Sequence, residues 1–299
     1  MSEYLWTNTT LNVRRALSSR SGYMVASVSG FSLPDKDHLV ARGPQQHGAT
    51  YVDTFFRPRQ CSLTIMIAGC DAEDFQARHV ELVRVFNPLD DGVLRIIAED
   101  QSRYTLTCRP VTAIALNRHN ARIGEALVQL IADDPFFYTA AETTQFTSEA
   151  WPGLQIPFQV GVHFYGFGWE SYTQISSGGN WAEFNVDNGG HLAAWPVIVI
   201  NGPCNNPDLI NVGGDPKDEG GETLTVSETI AAGDTLTVDM SNRTAIITSG
   251  GGAETNVLGS VSGTWWDIER GFNNIRITSE ELDIFNGTLT FSERFLAVA

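Results

Sequence analysis

The chain has 299 residues, 42% of them apolar and 10% aromatic, a globular composition that at this length fits one large or two medium domains. A chain this long buries roughly three quarters of its unfolded surface on folding, so it needs no disulfide or metal as a staple. Its 19 Lys and Arg against 35 Asp and Glu give a net charge of −16, which repels phosphate backbones and sets nucleic acid aside as a primary ligand.

The charge is unevenly spread. Residues 1–145 carry 14 basic and 16 acidic side chains, residues 146–299 carry 5 and 19, and the break near Thr143–Trp151 marks a domain boundary. The opening MSEYLWTNTT has no basic region followed by an apolar one, so no signal peptide is expected, and no apolar run is long enough to span a bilayer. Cys61, Cys70, Cys108 and Cys204 lack metal-ligand spacing and read as free, partly buried thiols.

The first half reads as α+β. Cys61–Ala68 alternates with Leu63, Ile65 and Ile67 on one face, the period of a strand. Asp71 with Asp74 three residues on is a helix start, and Phe75, Leu82, Val83 and Phe86 give the helix one apolar stripe. Pro88 ends it by forcing Asn87 out of the helical region. Strands follow over Val93–Ala98, Tyr104–Arg109 and Val111–Leu116. Asn117–Asn120 is then the turn of a long hairpin that returns through Ala126–Ala132 to Asp133-Asp134-Pro135.

The second half reads as all β. Short strands are expected at Val160–Phe164, Ala182–Val186, Val197–Ile200, Thr223–Val226, Thr235–Asp239, Thr244–Thr248, Asn274–Thr278 and Thr288–Phe291, separated by Gly, Asn, Asp and Pro turns. That rhythm, with no helix between strands, is the pattern of an antiparallel sandwich.

Nucleophile elbows, zinc-protease helices, phosphate loops and dinucleotide fingerprints are absent from the sequence. Adjacent carboxylates such as Asp90-Asp91 and Asp133-Asp134 point to opposite faces of a strand and do not form an acid/base couple. The acidic turn Asp215–Glu222 lacks the ligand spacing of a calcium loop and reads as solvated surface. An enzyme is therefore not expected, nor is a cofactor. The aromatics are more informative: Trp169 and Tyr172 in the cluster His163–Tyr172, and Trp181 after it, are candidate contacts for a glycan or a partner, against the plainer reading of core edge or interface. Trp265-Trp266 is read the same way.

The order of these features resembles the siphophage distal tail protein family, whose members join the tail tube to the tail tip. The resemblance begins at Arg57-Pro-Arg59, runs through Phe75–Leu82, Asn87-Pro88 and Val93–Ile96, and reaches an Asp-Pro-aromatic signature at Asp134-Pro135-Phe136. It continues with Asn188-Gly-Gly190, Trp195–Gly202, Asn206–Asn211 and Gly233–Asp239, covering about Arg57 to Ile277.

The resemblance implies a mainly β protein. Residues 1–145 would be a ring-forming, β-barrel-like α+β domain with one helix and a long hairpin, and residues 146–299 a galectin-like antiparallel β-sandwich. It further implies a homo-hexameric ring with the tail tube protein on one face and a tail hub, fibre or tail-tip protein on the other. The chain would assemble in the host cytoplasm and reside at the virion tail tip, with no membrane and no specific nucleic-acid partner. An acidic ring suits DNA passage, because a polyanion slides through a lumen that does not hold it. Arg57 and Arg59 are candidate subunit-interface residues, since a ring needs heterologous contacts between different patches. The alternative is a receptor-contacting carbohydrate-binding module.

Overall fold

The computed structural model describes residues 3–112, 114–150, 180–213, 221–280 and 284–298. The chain divides into two compact units. One comprises the residues up to Ala140 together with those from Glu293 onward, and the other is Ala141–Ser292. The sequence placed a single break near residue 145 and gave no sign that the end of the chain returns to the first unit. Phe137–Tyr138 pairs there with Arg294–Phe295 in an antiparallel ladder.

The first unit contains β1 (Glu3–Asn8), β2 (Val13–Leu17), β3 (Tyr23–Ser29), β4 (Lys36–Ala41), β5 (Thr50–Phe56) and β6 (Arg59–Ala68). After these come α1 (Ala72–Val85), β7 (Gly92–Ile97), β8 (Arg103–Pro110), β9 (Ala115–Arg118), β10 (Ile123–Ala132) and β11 (Phe137–Tyr138). The main ladder runs β2-β1-β7-β8-β10-β6-β3, and its pairs are antiparallel. Its two end strands are joined by the short turn between Leu17 and Tyr23, and both of those residues lie in the same core as Leu63, Leu106 and Val128 from the middle strands. The sheet therefore curls over a single core, which makes it barrel-like.

Cys61, Leu63, Ile65 and Ile67 are buried at alternate positions of β6, as period two requires. The expected strand Val111–Leu116 is not formed at Val111, Thr112 and Ile114; β9 covers Ala115–Arg118 instead, in register with β10.

Asp71 caps α1 by accepting the Asp74 amide at 2.8 Å, and the helix buries Phe75, Leu82 and Val85. Val83 lies on the solvent side, unlike the expected stripe, because it stands a further 100° around the helix from Leu82. Phe86 completes the stripe by stacking on Trp6 at 4.7 Å between ring centres. The Val85 carbonyl, left open at the helix end, accepts both Trp6 Nε1 and Asn8 Nδ2 at 3.1 Å.

The second unit is a sandwich of two six-stranded antiparallel sheets. Its strands are β12 (Glu142–Thr147), β13 (Glu149–Ala150), β14 (Asn180–Asn188), β15 (Val197–Asn201), β16 (Cys204–Asn205), β17 (Asp208–Gly213) and β18 (Glu222–Val226). They continue as β19 (Thr229–Ile230), β20 (Thr235–Asp239), β21 (Thr244–Thr248), β22 (Glu254–Asn256), β23 (Val261–Gly263), β24 (Gly271–Ser279) and β25 (Asn286–Phe291). One sheet runs β12-β25-β15-β20-β21-β22 and the other β13-β14-β24-β17-β18-β23. Ile198, Leu236 and Leu289 from the first interleave with Ile275, Leu209 and Leu224 from the second in one core. Trp266 is part of that core, donating Nε1 to the Leu209 carbonyl at 3.0 Å.

Several sequence signatures are explained by this frame. Asn188 is buried and makes three bonds. Its amide nitrogen donates to the Leu192 and Ile268 carbonyls, at 3.0 and 2.9 Å, and its oxygen accepts the Gly190 amide at 3.0 Å. Asp234 accepts the Gly250 amide, and Asp239 accepts those of Ser241 and Asn242, so the Gly-Asp-strand-Asp step is a strand bounded by two Asp-held turns. The expected strand Val160–Phe164 and the acidic turn Asp215–Glu222, apart from Gly221 and Glu222, lie outside the described residues.

Candidate assembly surface

Strands β4 and β5 form a two-stranded arm that, among the described residues, pairs with no other strand. None of its residues is buried. A lone hairpin is marginal in water because neither face finds a core. This one nevertheless displays Leu39, Tyr51 and Phe55 at 51%, 59% and 56% exposure, with Val40 and Val52 beside them. Large apolar side chains on a strand pair with two open edges are a template for protein contact.

The register puts His38, Thr54 and Tyr51 on one face, where Thr54 Oγ1 meets His38 Nδ1 at 2.8 Å and the Tyr51 hydroxyl at 2.7 Å. Phe55 and Leu39 lie on the other face, beside Asp37 and Asp53. At the base, Phe56 packs edge-on against Phe136 at 5.5 Å, and the Arg57 amide bonds the Asp35 carbonyl at 2.8 Å.

The two arginines singled out from sequence have different fates. Arg57 is exposed at the arm's base and grips Asp37 with both nitrogens, Nε to Oδ2 at 2.6 Å and Nη2 to Oδ1 at 2.5 Å. That fork holds the Asp37 carboxyl below its ordinary pKa, chiefly through the hydrogen bonds from Arg57. Arg59 is instead only 2% exposed, inside its own unit. Its Nε donates to the Pro135 carbonyl at 2.6 Å, Nη1 to those of Gly30 and Ser32 at 2.7 and 2.5 Å, and Nη2 to that of Leu296 at 2.6 Å. The guanidinium also lies over the Phe137 ring at 4.5 Å. Burial lowers its pKa, yet a guanidinium with four carbonyl partners remains charged. In the single chain Arg59 is thus engaged internally, and only Arg57 is presented at the surface.

Gly30 makes this arrangement possible. Its φ is +85°, and a Cβ there would meet the Gln60 carbonyl oxygen at 2.1 Å, so glycine alone can sit here with its own carbonyl against Arg59. The Asp-Pro-aromatic signature serves the same junction. Asp134 accepts the Phe136 amide at 3.3 Å and the Tyr138 hydroxyl at 2.5 Å, Pro135 supplies a carbonyl, and Phe137 enters the core.

Of the aromatic candidates, Trp169 and Tyr172 lie outside the described residues. Trp181 is at the end of β14 on the outer face of its sheet, 37% exposed, with the Arg276 guanidinium 5.2 Å from its ring centre. Arg276 is held there by Glu183 at 3.0 Å, and Asn274 bonds Glu183 at 2.9 Å and Asn185 at 3.2 Å. The cross-strand pairs Glu183–Arg276 and Asn185–Asn274 close this row of polar side chains on itself. Cys61, Cys108 and Cys204 are buried and Cys70 is exposed, all as free thiols, and burial pushes the Cys61 thiol up to about 11. Among the described residues no His, Cys, Asp and Glu cluster fit for a metal ion is found.

The arm was missed in the sequence, although Thr50-Tyr-Val-Asp-Thr-Phe-Phe56 is rich in β-formers and carried a usable signal.

Two family profiles match the chain. The phage tail protein RIFT-related domain matches residues 22–132, and the siphovirus-type tail component, C-terminal domain, matches residues 189–295. The crystal structure of SPP1 Dit, described as a paradigm of the hub adsorption apparatus in phages infecting Gram-positive hosts, superposes with a TM-score of 0.65 at 12% identity, over 98% of this chain and 99% of the other. A chain of the phage P2 baseplate in its activated conformation with calcium aligns over 100% of both chains at 10% identity and a TM-score of 0.48. No curated protein matches the chain.

Proposed function

The chain belongs to the siphophage distal tail protein family and is a structural component of the phage tail; from that premise we propose that it closes into a hexameric ring joining the tail tube to the tail tip. The arm carries this reading. It is a strand pair with exposed Leu39, Tyr51 and Phe55, without a core of its own, and a second copy of the chain is the partner that covers it. Such a contact is heterologous, arm to body, and repeated head to tail it closes a ring. Arg57 and Asp37 tie the two strands of the arm together at its base.

In this reading tail tube protein docks on one face of the ring and a hub, fibre or tail-tip protein on the other, after assembly in the host cytoplasm. DNA passes through the lumen, and the net charge of −16 favours passage over retention. Trp181 is a candidate contact for the partner or for a glycan, through the part of its ring that Arg276 leaves open.

Light scattering behind size exclusion tests the ring. Six chains of 32.7 kDa give about 196 kDa. Replacing Leu39 and Phe55 together by Asp is expected to return the mass to that of one chain. A particle of unchanged mass after that double substitution would remove the arm from the assembly contact.

A further inference from the structure

Arg59 joins three stretches of chain that are far apart in sequence. It leaves the arm at the start of β6, and its Nη1 reaches back to Gly30 and Ser32, where the chain enters the arm. Its Nε holds Pro135, just before the chain departs into the second unit, and its Nη2 holds Leu296, just after the chain comes back. A further bond ties the same pieces together: the Val298 amide donates to the Phe31 carbonyl at 3.1 Å. Phe31 itself packs on Phe137 with ring centres 5.8 Å apart.

We infer that Arg59 is a positioning residue that couples the base of the arm to the closing segment Arg294–Val298, so that order in one depends on order in the other. The coupling comes from sharing one side chain. A planar fork can hold four carbonyls at once only if both segments are in place, and losing either leaves the buried cation short of acceptors. A lysine has the charge but not the fork, so it cannot serve all four sites from a single nitrogen. The coupling is a property of the single chain and does not depend on ring formation, so its failure and the failure of the hexamer are separate results.

Hydrogen exchange with mass spectrometry on the full-length chain tests it, with peptides carrying the Arg57 and Val298 amides as reporters. These amides bond the Asp35 and Phe31 carbonyls respectively. In Arg59→Lys both peptides should exchange faster by about tenfold, as expected for losing charge-assisted bonds. Peptides of Leu63–Ile67 should stay protected. Val298→Pro is the reciprocal variant. It deletes the amide that holds Phe31 while leaving Arg59 intact, and should speed exchange at Arg57. Faster exchange at the chain end with the arm base unchanged, in either variant, would show the two segments to be independent and overturn the inference. So would a uniform loss of protection that includes Leu63–Ile67.

Discussion

Replacing Phe55 by Ala separates assembly from folding. The ring is 56% exposed in the single chain, so of the roughly 200 Å² a phenylalanine can bury, about 110 Å² is still available to a partner. At about 25 cal/mol per Å², and allowing for the area alanine retains, covering that surface contributes ~2 kcal/mol, or about 30-fold in the strength of each contact. Because Phe55 touches no core, stability of the isolated chain should change by no more than about 0.5 kcal/mol. The assay is a concentration series in light scattering, with thermal unfolding of the dilute variant alongside. The expected outcome is a midpoint of assembly displaced to much higher concentration with an unchanged unfolding temperature. An unchanged assembly midpoint would refute the assignment of the arm, and a fall in unfolding temperature would mean that Phe55 already packs within its own chain.

Asn188→Ala removes three bonds from a buried site, taking the side-chain partner from the Leu192 carbonyl and the Gly190 amide and leaving the Ile268 carbonyl with the Ala194 amide alone. The second unit should lose about 3 kcal/mol, visible as a fall of roughly 10 °C in its unfolding midpoint. Asp37 should titrate below its ordinary value of 3.8, and Arg57→Gln should return it to that value; both can be followed by carboxyl-carbon NMR. Since the pKa is lowered in the folded state, the tie at the arm's base is present above pH 3.8 and is lost as the pH falls through the lowered value. A thiol reagent should modify Cys70 at once. Cys61, Cys108 and Cys204 should react only after unfolding, because burial keeps them out of reach and, for Cys61 and Cys108, also protonated.

What was legible in the sequence is what burial writes onto periodicity. β6 and β20 alternate cleanly because one face of each is in a core, and α1 announces itself through the Asp71 cap and the stop at Pro88. β12 was not legible, because Glu-Thr-Thr-Gln-Phe-Thr buries only Phe146. The arm left no alternating pattern, since neither of its faces is buried in the single chain. Arg59 could not be distinguished from Arg57 two residues earlier. Its partners are backbone carbonyls, which carry no side-chain signature, and two of them are 76 and 237 residues away. The return of the chain end was hidden for the same reason: Arg294–Phe295 is a strand of two residues, recognisable only through its pairing with β11.

In the proposed ring, successive copies of this chain are joined through their arms. Single-particle electron cryomicroscopy of the heaviest species tests it most directly. The expected result is a six-fold particle with an open centre, in which the strand pair Lys36–Ala41 and Thr50–Phe56 of each copy lies against the body of the next. A particle whose arms stand free in solvent, or a two-fold pair without a lumen, would contradict it.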